Sequence, residues 1–393
     1  MNWVMVNPHF GPVLGGIQKD MLSLAREFMS QGDQVAFVTT YDEFPGGRVD
    51  LSQPFTYELP SGIRIVRLEG YFRTHLRHFH PTNPPLWLPG LARAVLQFKP
   101  GAVIFFNIGW PLTILPALLT IRRHSTVLYQ TAYHAPLERH PLDPWRSRLQ
   151  LGVTALSHQL IPHSYFEKRQ IMRDGGIPEG KITVIYPGVG IWEFTPDEIQ
   201  NFCFRYDLVG KVVISHVARL GAFKGTGTLI RALPHVRSRT DSDVVLLLVG
   251  RNMEKDYLDG LVHELGVLEH VRFTGPLSER DLHLAYAVSH IFALPSQYES
   301  FGFVFLEAMA HGVPVIGVRT GGVPEVIRDG ETGFILDSWD DIRGLQKALE
   351  HLILDQSLRK EMGERARHSV QDRFIWHRAA AEFKELIARI QSA

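Results

Sequence analysis

Short apolar runs of strand length alternate with amphipathic stretches of helix length along the whole chain, which predicts parallel sheets covered by helices. The runs at 3–6, 34–38, 63–68, 102–106, 126–130, 159–162 and 182–185 predict a first sheet. Those at 211–216, 244–249, 271–274, 291–294, 314–317 and 333–336 predict a second. The fold class is therefore α/β, with two doubly wound units. Tyr186-Pro187-Gly188-Val189-Gly190 is the clearest boundary, because Pro and Gly there stop a strand before the second sheet begins. Helical spacing of Phe374, Trp376, Phe383, Leu386 and Ile387 predicts a closing helix able to pack on either unit. The expected organisation is 1–187, 188–372 and a tail at 373–393.

Composition agrees with a globular chain: 393 residues, 45% hydrophobic and 21% charged, long enough for two domains. Lys plus Arg and Asp plus Glu are both 41, so net charge gives no reason to expect a nucleic-acid binder. The balance is uneven, however. Residues 1–187 hold 18 basic and 13 acidic side chains, leaving 23 and 28 for the remainder. The lone Cys203 allows no internal disulfide and no multi-cysteine metal site, as suits a reducing cytoplasm. The chain opens on the apolar Trp3-Val4-Met5-Val6 without the basic start and longer apolar run of a signal peptide. No apolar run approaches the roughly 20 residues that cross a bilayer. The expected location is cytoplasmic, with peripheral contact at the inner face of the membrane as the alternative. Residues 64–80 combine four arginines and three histidines with aromatics, and read either as a solvated connection or as a surface for an anionic acceptor.

Ligands of open parallel sheets sit at the carboxyl ends of strands, where helix N-termini present free N–H groups. After the 211–216 run comes Ala218-Arg219-Leu220-Gly221-Ala222-Phe223-Lys224-Gly225, leading into a helix from about Thr226. Two cations five residues apart at a strand end suit two phosphates whose charge grows as a leaving group departs; solvated surface cations are the alternative. After 291–294, Glu299 lies in a loop, Gly302 permits close backbone approach, and Glu307 lies little more than one turn into a helix from about Phe303. These carboxylates can accept hydrogen bonds from sugar hydroxyls or merely complement the helix dipole. Glu307 follows Phe303-Val304-Phe305-Leu306, an apolar setting in which an acid wants a specific partner. In the first unit Gly15-Gly16 opens a helix over 17–30 after the first strand, and its amides could approach a leaving phosphate when two domains close.

Glu299-x7-Glu307, Arg219 with Lys224-Gly225, Thr320-Gly321-Gly322-Val323-Pro324-Glu325, Asp329-Gly330-x-Thr332-Gly333 and the 8–16 segment ending in Gly15-Gly16 together resemble the family-4 glycosyltransferases of the GT-B fold. The resemblance is strongest over 212–335. It implies two Rossmann-like domains facing each other across a cleft, the tail helix crossing back to the first. It also implies retaining transfer of a hexosyl group from a UDP- or GDP-linked sugar to an acceptor hydroxyl, without cofactor or metal. Carried over by position, Arg219 and Lys224 would hold the diphosphate, the backbone around Phe301-Gly302-Phe303 would add N–H groups, Glu299 would read the donor sugar and Glu307 the ribose. Gly250-Arg251 with Phe273, Pro276 and Leu277 would line the base pocket. His134, in Tyr133-His134 after the 126–130 strand, stands where the family often has a histidine near the reacting carbon, and His9 is a lesser acceptor-side candidate. His216 reads as structural. Ala218 replaces a frequent glycine, 187–190 lacks the frequent Asn-Gly-Val-Asp, and 105–110 lacks an acid and histidine common at that strand end.

The partners implied are the donor and a carbohydrate, lipid or small-metabolite acceptor. A sugar-nucleotide epimerase of the same fold, a sugar phosphorylase, or an inactive sugar-nucleotide-binding protein would share the architecture; four charged site residues speak against the last. Asp241-Ser242-Asp243 has metal-motif spacing but precedes a strand and so belongs to the opposite sheet edge, while 221–227 lacks the spacing of a nucleoside-triphosphate P-loop.

Overall fold

The computed structural model describes residues 1–8, 10, 16–43, 47–48, 58–69, 71–72, 86–106, 111–133 and 143–392. The chain forms two compact units, Met1–Gly188 joined by the helix Trp376–Ser392, and Val189–Ile375.

The first unit contains β1 (Asn2–Val6), β2 (Gln34–Thr40), a ribbon of β3 (Asp42–Glu43) with β4 (Gly47–Arg48), β5 (Arg64–Leu68), a ribbon of β6 (Tyr71–Phe72) with β7 (Leu86–Trp87), β8 (Ala102–Phe106), β9 (Thr126–Gln130) and β10 (Gln159–Ile161). Six of these make one parallel sheet in the order β10-β9-β8-β1-β2-β5. Alternate residues explain why the strands read as unbroken apolar runs. Val4, Val6, Val103, Phe105 and Val127 enter the core on one face, and Trp3, Met5, Ile104, Phe106 and Leu128 enter the core on the other. The second face is covered by the helices Gly16–Ser30 and Trp376–Ser392, whose Phe28 and Phe383 rings meet edge to face at 6.3 Å. The tail helix thus belongs to the first unit. It begins at Trp376, while Phe374 caps the preceding helix in the second unit and packs on Phe301.

The expected strand at 182–185 does not form. Ile182 makes one isolated bridge to Leu160, and the amides of Thr183 and Ile185 reach the carbonyls of Leu160 and Pro162. Pro162 has no N–H with which to continue the ladder, so β10 ends at Ile161 and its neighbour stays irregular.

The second unit repeats the plan with β11 (Val212–Val217), β12 (Val244–Val249), β13 (Val271–Gly275), β14 (Ile291–Ala293), β15 (Val315–Val318) and β16 (Gly333–Leu336), ordered β13-β12-β11-β14-β15-β16 and all parallel. From β11 the chain winds outward through β12 and β13, then returns to the other side of β11 as β14. The winding reverses between β11 and β14, and the crevice at their carboxyl ends is where a doubly wound sheet binds its ligand.

Candidate active site

Lys224 and Glu299 stand on the two loops that diverge from this reversal point. Lys224 closes a short 3-10 turn, Ala222–Lys224, before the helix Thr226–Arg239. Glu299 lies between β14 and the helix Phe303–Ala310. Their side chains form a direct ion pair, each less than a fifth exposed. Arg219, in the same loop as Lys224, is exposed and has no ionic partner among the described residues.

Backbone contacts hold the two loops together. Gln297 N–H donates to the Phe223 carbonyl at 3.0 Å. Gly225 has φ 70°, and a Cβ there would lie 1.9 Å from the Pro295 carbonyl oxygen. The glycine therefore permits both a left-handed turn and the close approach of the neighbouring loop. A third loop, after β15, clasps Glu299 from behind. Gly322 N–H donates to the Glu299 carbonyl at 3.1 Å, and Thr320 Oγ1 donates to the Gln297 carbonyl at 3.2 Å. A Cβ on Gly321 would lie 1.6 Å from the Glu299 carbonyl oxygen. The Thr320-Gly321-Gly322 motif is thus a seat for the Glu299 loop.

The helices Thr226–Arg239 and Phe303–Ala310 both start after a left-handed glycine, Gly225 and Gly302, with no side chain capping either. Helix N-termini left uncapped by side chains favour anions. Phe301 is buried and Phe303 half-buried, their rings in edge contact at 5.6 Å. Glu307, half-buried, accepts a hydrogen bond from the Tyr286 hydroxyl at 2.8 Å. Burial, and then the Glu307 charge, push the Tyr286 phenol well above its usual range, so it remains a donor.

The loop after β12 is zipped to the Arg219 loop: Leu220 N–H donates to the Arg251 carbonyl and Met253 N–H to the Leu220 carbonyl, both at 2.9 Å. Gly250, at φ 126°, passes so close that a Cβ would lie 1.9 Å from the Ala218 carbonyl oxygen. Arg251 and Pro276 are exposed, whereas Phe273 and Leu277 pack half-buried on core clusters. Asp243 precedes β12, at the other edge of the sheet. Among the described residues no three His, Cys, Asp or Glu side chains group as metal ligands.

In the first unit Gly16 begins the helix Gly16–Ser30. Gly15, His134, His9 and 107–110 lie outside the described residues, as do 70 and 73–80 of the basic stretch. Arg64 stacks over the Phe98 ring at 4.7 Å, and Arg67 donates to the carbonyls of Phe10 and Thr40. Two of the four arginines therefore serve packing. The approach to His134 is anchored by buried Glu167, which accepts from Thr131 Oγ1 and Tyr133 N–H at 2.7 Å and from His163 N–H at 2.9 Å. Beside it His163 pairs with Asp20 at 2.9 Å. Burial works to lower the His163 pKa, but the Asp20 carboxylate prevails and raises it. Sequence reasoning missed Tyr286 and Glu167. Only Glu167 had a local signal, because Ser164 three residues earlier caps its helix.

Among the described residues no helix is long and apolar enough to cross a membrane. The family model for glycosyl transferases group 1 matches residues 205–369, and that for glycosyltransferase family 4 matches 14–191. A GDP-mannose-dependent alpha-(1-6)-phosphatidylinositol monomannoside mannosyltransferase of Mycobacterium tuberculosis is 32% identical over 409 aligned positions, covering 98% of this chain and 97% of that one. A D-inositol 3-phosphate glycosyltransferase of Corynebacterium aurimucosum is 32% identical over 427, covering 100% and 97%. In fold, the crystal structure of Anabaena Alr3699/HepE in complex with UDP and glucose superposes with a TM-score of 0.77 at 20% identity, over 99% of this chain and 100% of that chain.

Proposed function

The chain belongs to the family-4 glycosyltransferases of the GT-B fold, and we propose that it transfers a hexosyl group, with retention, from a GDP- or UDP-linked sugar to a hydroxyl of an inositol-type acceptor. The observation that carries the donor half is the Lys224–Glu299 pair at the reversal point of the second sheet. In the free protein each charge compensates the other. An arriving diphosphate takes over Lys224, with Arg219 free beside it, and this releases the Glu299 carboxylate to accept from sugar hydroxyls. Neither charge is left unpaired in either state, which avoids the penalty of an isolated half-buried ion. Glu307, oriented by Tyr286, accepts from the ribose.

In the reaction the acceptor oxygen bonds to the anomeric carbon on the face from which the diphosphate leaves. The bond from that carbon to the phosphate oxygen breaks, and the acceptor proton passes to a departing phosphate oxygen. Arg219, Lys224 and the uncapped helix amides take up the negative charge that develops, so the chemistry calls for neither metal nor cofactor. His134, which follows the Tyr133 backbone that Glu167 holds, is the candidate near the reacting carbon. The acceptor class is supported by two relatives whose names specify phosphatidylinositol monomannoside and inositol 3-phosphate, each aligned over nearly the whole chain.

Lys224→Ala should lower kcat about 10²–10³-fold, the usual effect of removing one stabiliser of leaving-group charge. Turnover would be followed as nucleoside-diphosphate release that requires both donor and acceptor; unchanged turnover sinks the proposal. A thermal-shift panel of GDP, UDP and their sugars identifies the base. If the acceptor is a lipid, the basic first unit docks on anionic bilayers, and flotation with phosphatidylinositol vesicles at low salt tests this; no association would refute it.

A further inference from the structure

The strands flanking the reversal point are also joined by side chains that take no part in the charged pair. His216, wholly buried near the end of β11, lies 2.9 Å through Nδ1 from the Ala293 carbonyl at the end of β14. Through Nε2 it lies 3.0 Å from Thr226 Oγ1, in the first turn of the helix. Thr226 Oγ1 in turn accepts from Gly221 N–H at 3.0 Å. Only one set of proton positions satisfies all of these atoms. A carbonyl can only accept, so Nδ1 carries the proton. Burial holds the imidazole at a pKa of about 4, hence neutral, and Nε2 must accept the Thr226 hydroxyl proton. That leaves the hydroxyl oxygen free to accept from Gly221. The Gly221 carbonyl meanwhile accepts from Lys224 N–H at 3.1 Å and Thr226 N–H at 3.3 Å. Gly221 is thereby held on both sides, and with it the turn that aims Lys224.

We propose that His216 and Thr226 are positioning residues for the diphosphate: their hydrogen-bonded chain, from the end of β14 to the Gly221–Lys224 turn, sets the spacing between Lys224 and Glu299 that admits the second phosphate. This rests on the reading of Lys224 as a phosphate ligand. Packing alone does not call for it. The positions that share the His216 face of β11 and β12, Val212, Ile214, Val244, Leu246 and Leu248, are aliphatic, and a buried polar network is worth having only when every member is satisfied, as here. Neither side chain touches substrate. They act through the backbone of the turn.

The test compares binding of GDP and UDP with that of GMP and UMP by isothermal titration. Thr226→Val keeps the shape and removes the hydroxyl, orphaning Gly221 N–H and His216 Nε2. It should weaken the diphosphate of the preferred base roughly 10-fold while the matching monophosphate changes less than about 2-fold. Thr226→Ser, which keeps the hydroxyl, should restore diphosphate binding to within about 2-fold. His216→Asn, whose amide nitrogen can donate to Ala293 but whose oxygen is too short to stand where Nε2 accepts from Thr226, should reproduce the valine effect and serves if the valine variant does not fold. Unchanged diphosphate affinity, equal loss for mono- and diphosphate, or failure of serine to rescue would each overturn the proposal. Lys224→Ala separates the two ideas: if it weakens the diphosphate and Thr226→Val does not, the positioning chain fails alone; if Lys224→Ala has no effect, the phosphate reading itself fails.

Discussion

Gly225→Ala would separate backbone strain from displacement of the site. At φ 70° an alanine costs about 1–2 kcal/mol, whatever surrounds it. The second cost is geometric. The new Cβ would stand 1.9 Å from the Pro295 carbonyl oxygen, and contacts below 3.0 Å do not persist, so the two backbones must part by about 1.1 Å. Pro295 leads directly to Gln297, which is bonded to Phe223, and to Glu299, so the movement falls on the spacing between Lys224 and Glu299. A misplacement of about 1 Å at a reacting centre costs around 10²-fold. The expected result is a kcat/KM lowered about 100-fold with stability reduced by only a few kcal/mol. Gly266→Ala is the control. It has the same left-handed backbone, at φ 63°, but nothing within 4 Å of its Cβ, so it should lose stability and keep kcat/KM. Urea unfolding gives the stabilities and initial rates give kcat/KM. The reasoning is refuted if Gly225→Ala stays within twofold of the parent, or if Gly266→Ala loses as much activity.

Tyr286→Phe removes the donor that orients Glu307, and should raise the donor KM roughly 5–10-fold with kcat little changed; an unaltered KM would show that the carboxylate does not meet the nucleotide. Acid should destabilise the fold through His216 and His311, both held at about 4 against an ordinary 6.5, in each case first by burial. Between those values the unfolded chain binds protons that the folded one refuses. The stabilisation is therefore complete above pH 6.5 and is lost as pH falls toward 4, by about 3 kcal/mol for His216. His163, raised by Asp20, acts in the opposite sense: its contribution is complete below pH 6.5 and is lost as pH climbs through its raised value. Urea midpoints from pH 7 to 4.5 should fall more steeply for the parent than for His216→Asn, and parallel slopes would contradict the assignment.

The sequence by itself determined the local geometry and the order of events along the chain. Strand-length runs, their alternation with helices in two units and the placing of Arg219, Lys224, Glu299 and Glu307 after strands were all readable, because each depends on neighbours a few residues apart. The glycine pair at 321–322 was readable as a motif but not as a seat, since what it seats is the Glu299 carbonyl more than twenty positions earlier. Tertiary structure alone decided the partnerships. Lys224 meets Glu299 across 75 positions, Tyr286 meets Glu307 across 21, and His216 reaches Ala293 across 77. Each depends on which strands become neighbours after a crossover, and no local pattern encodes that. The same holds for the tail helix, whose apolar stripe suited either unit until Phe28 of the first received Phe383, and for 182–185, where an apolar run met a proline neighbour unable to complete its ladder. Periodicity reports what a segment buries, and only the assembled sheets decide against what.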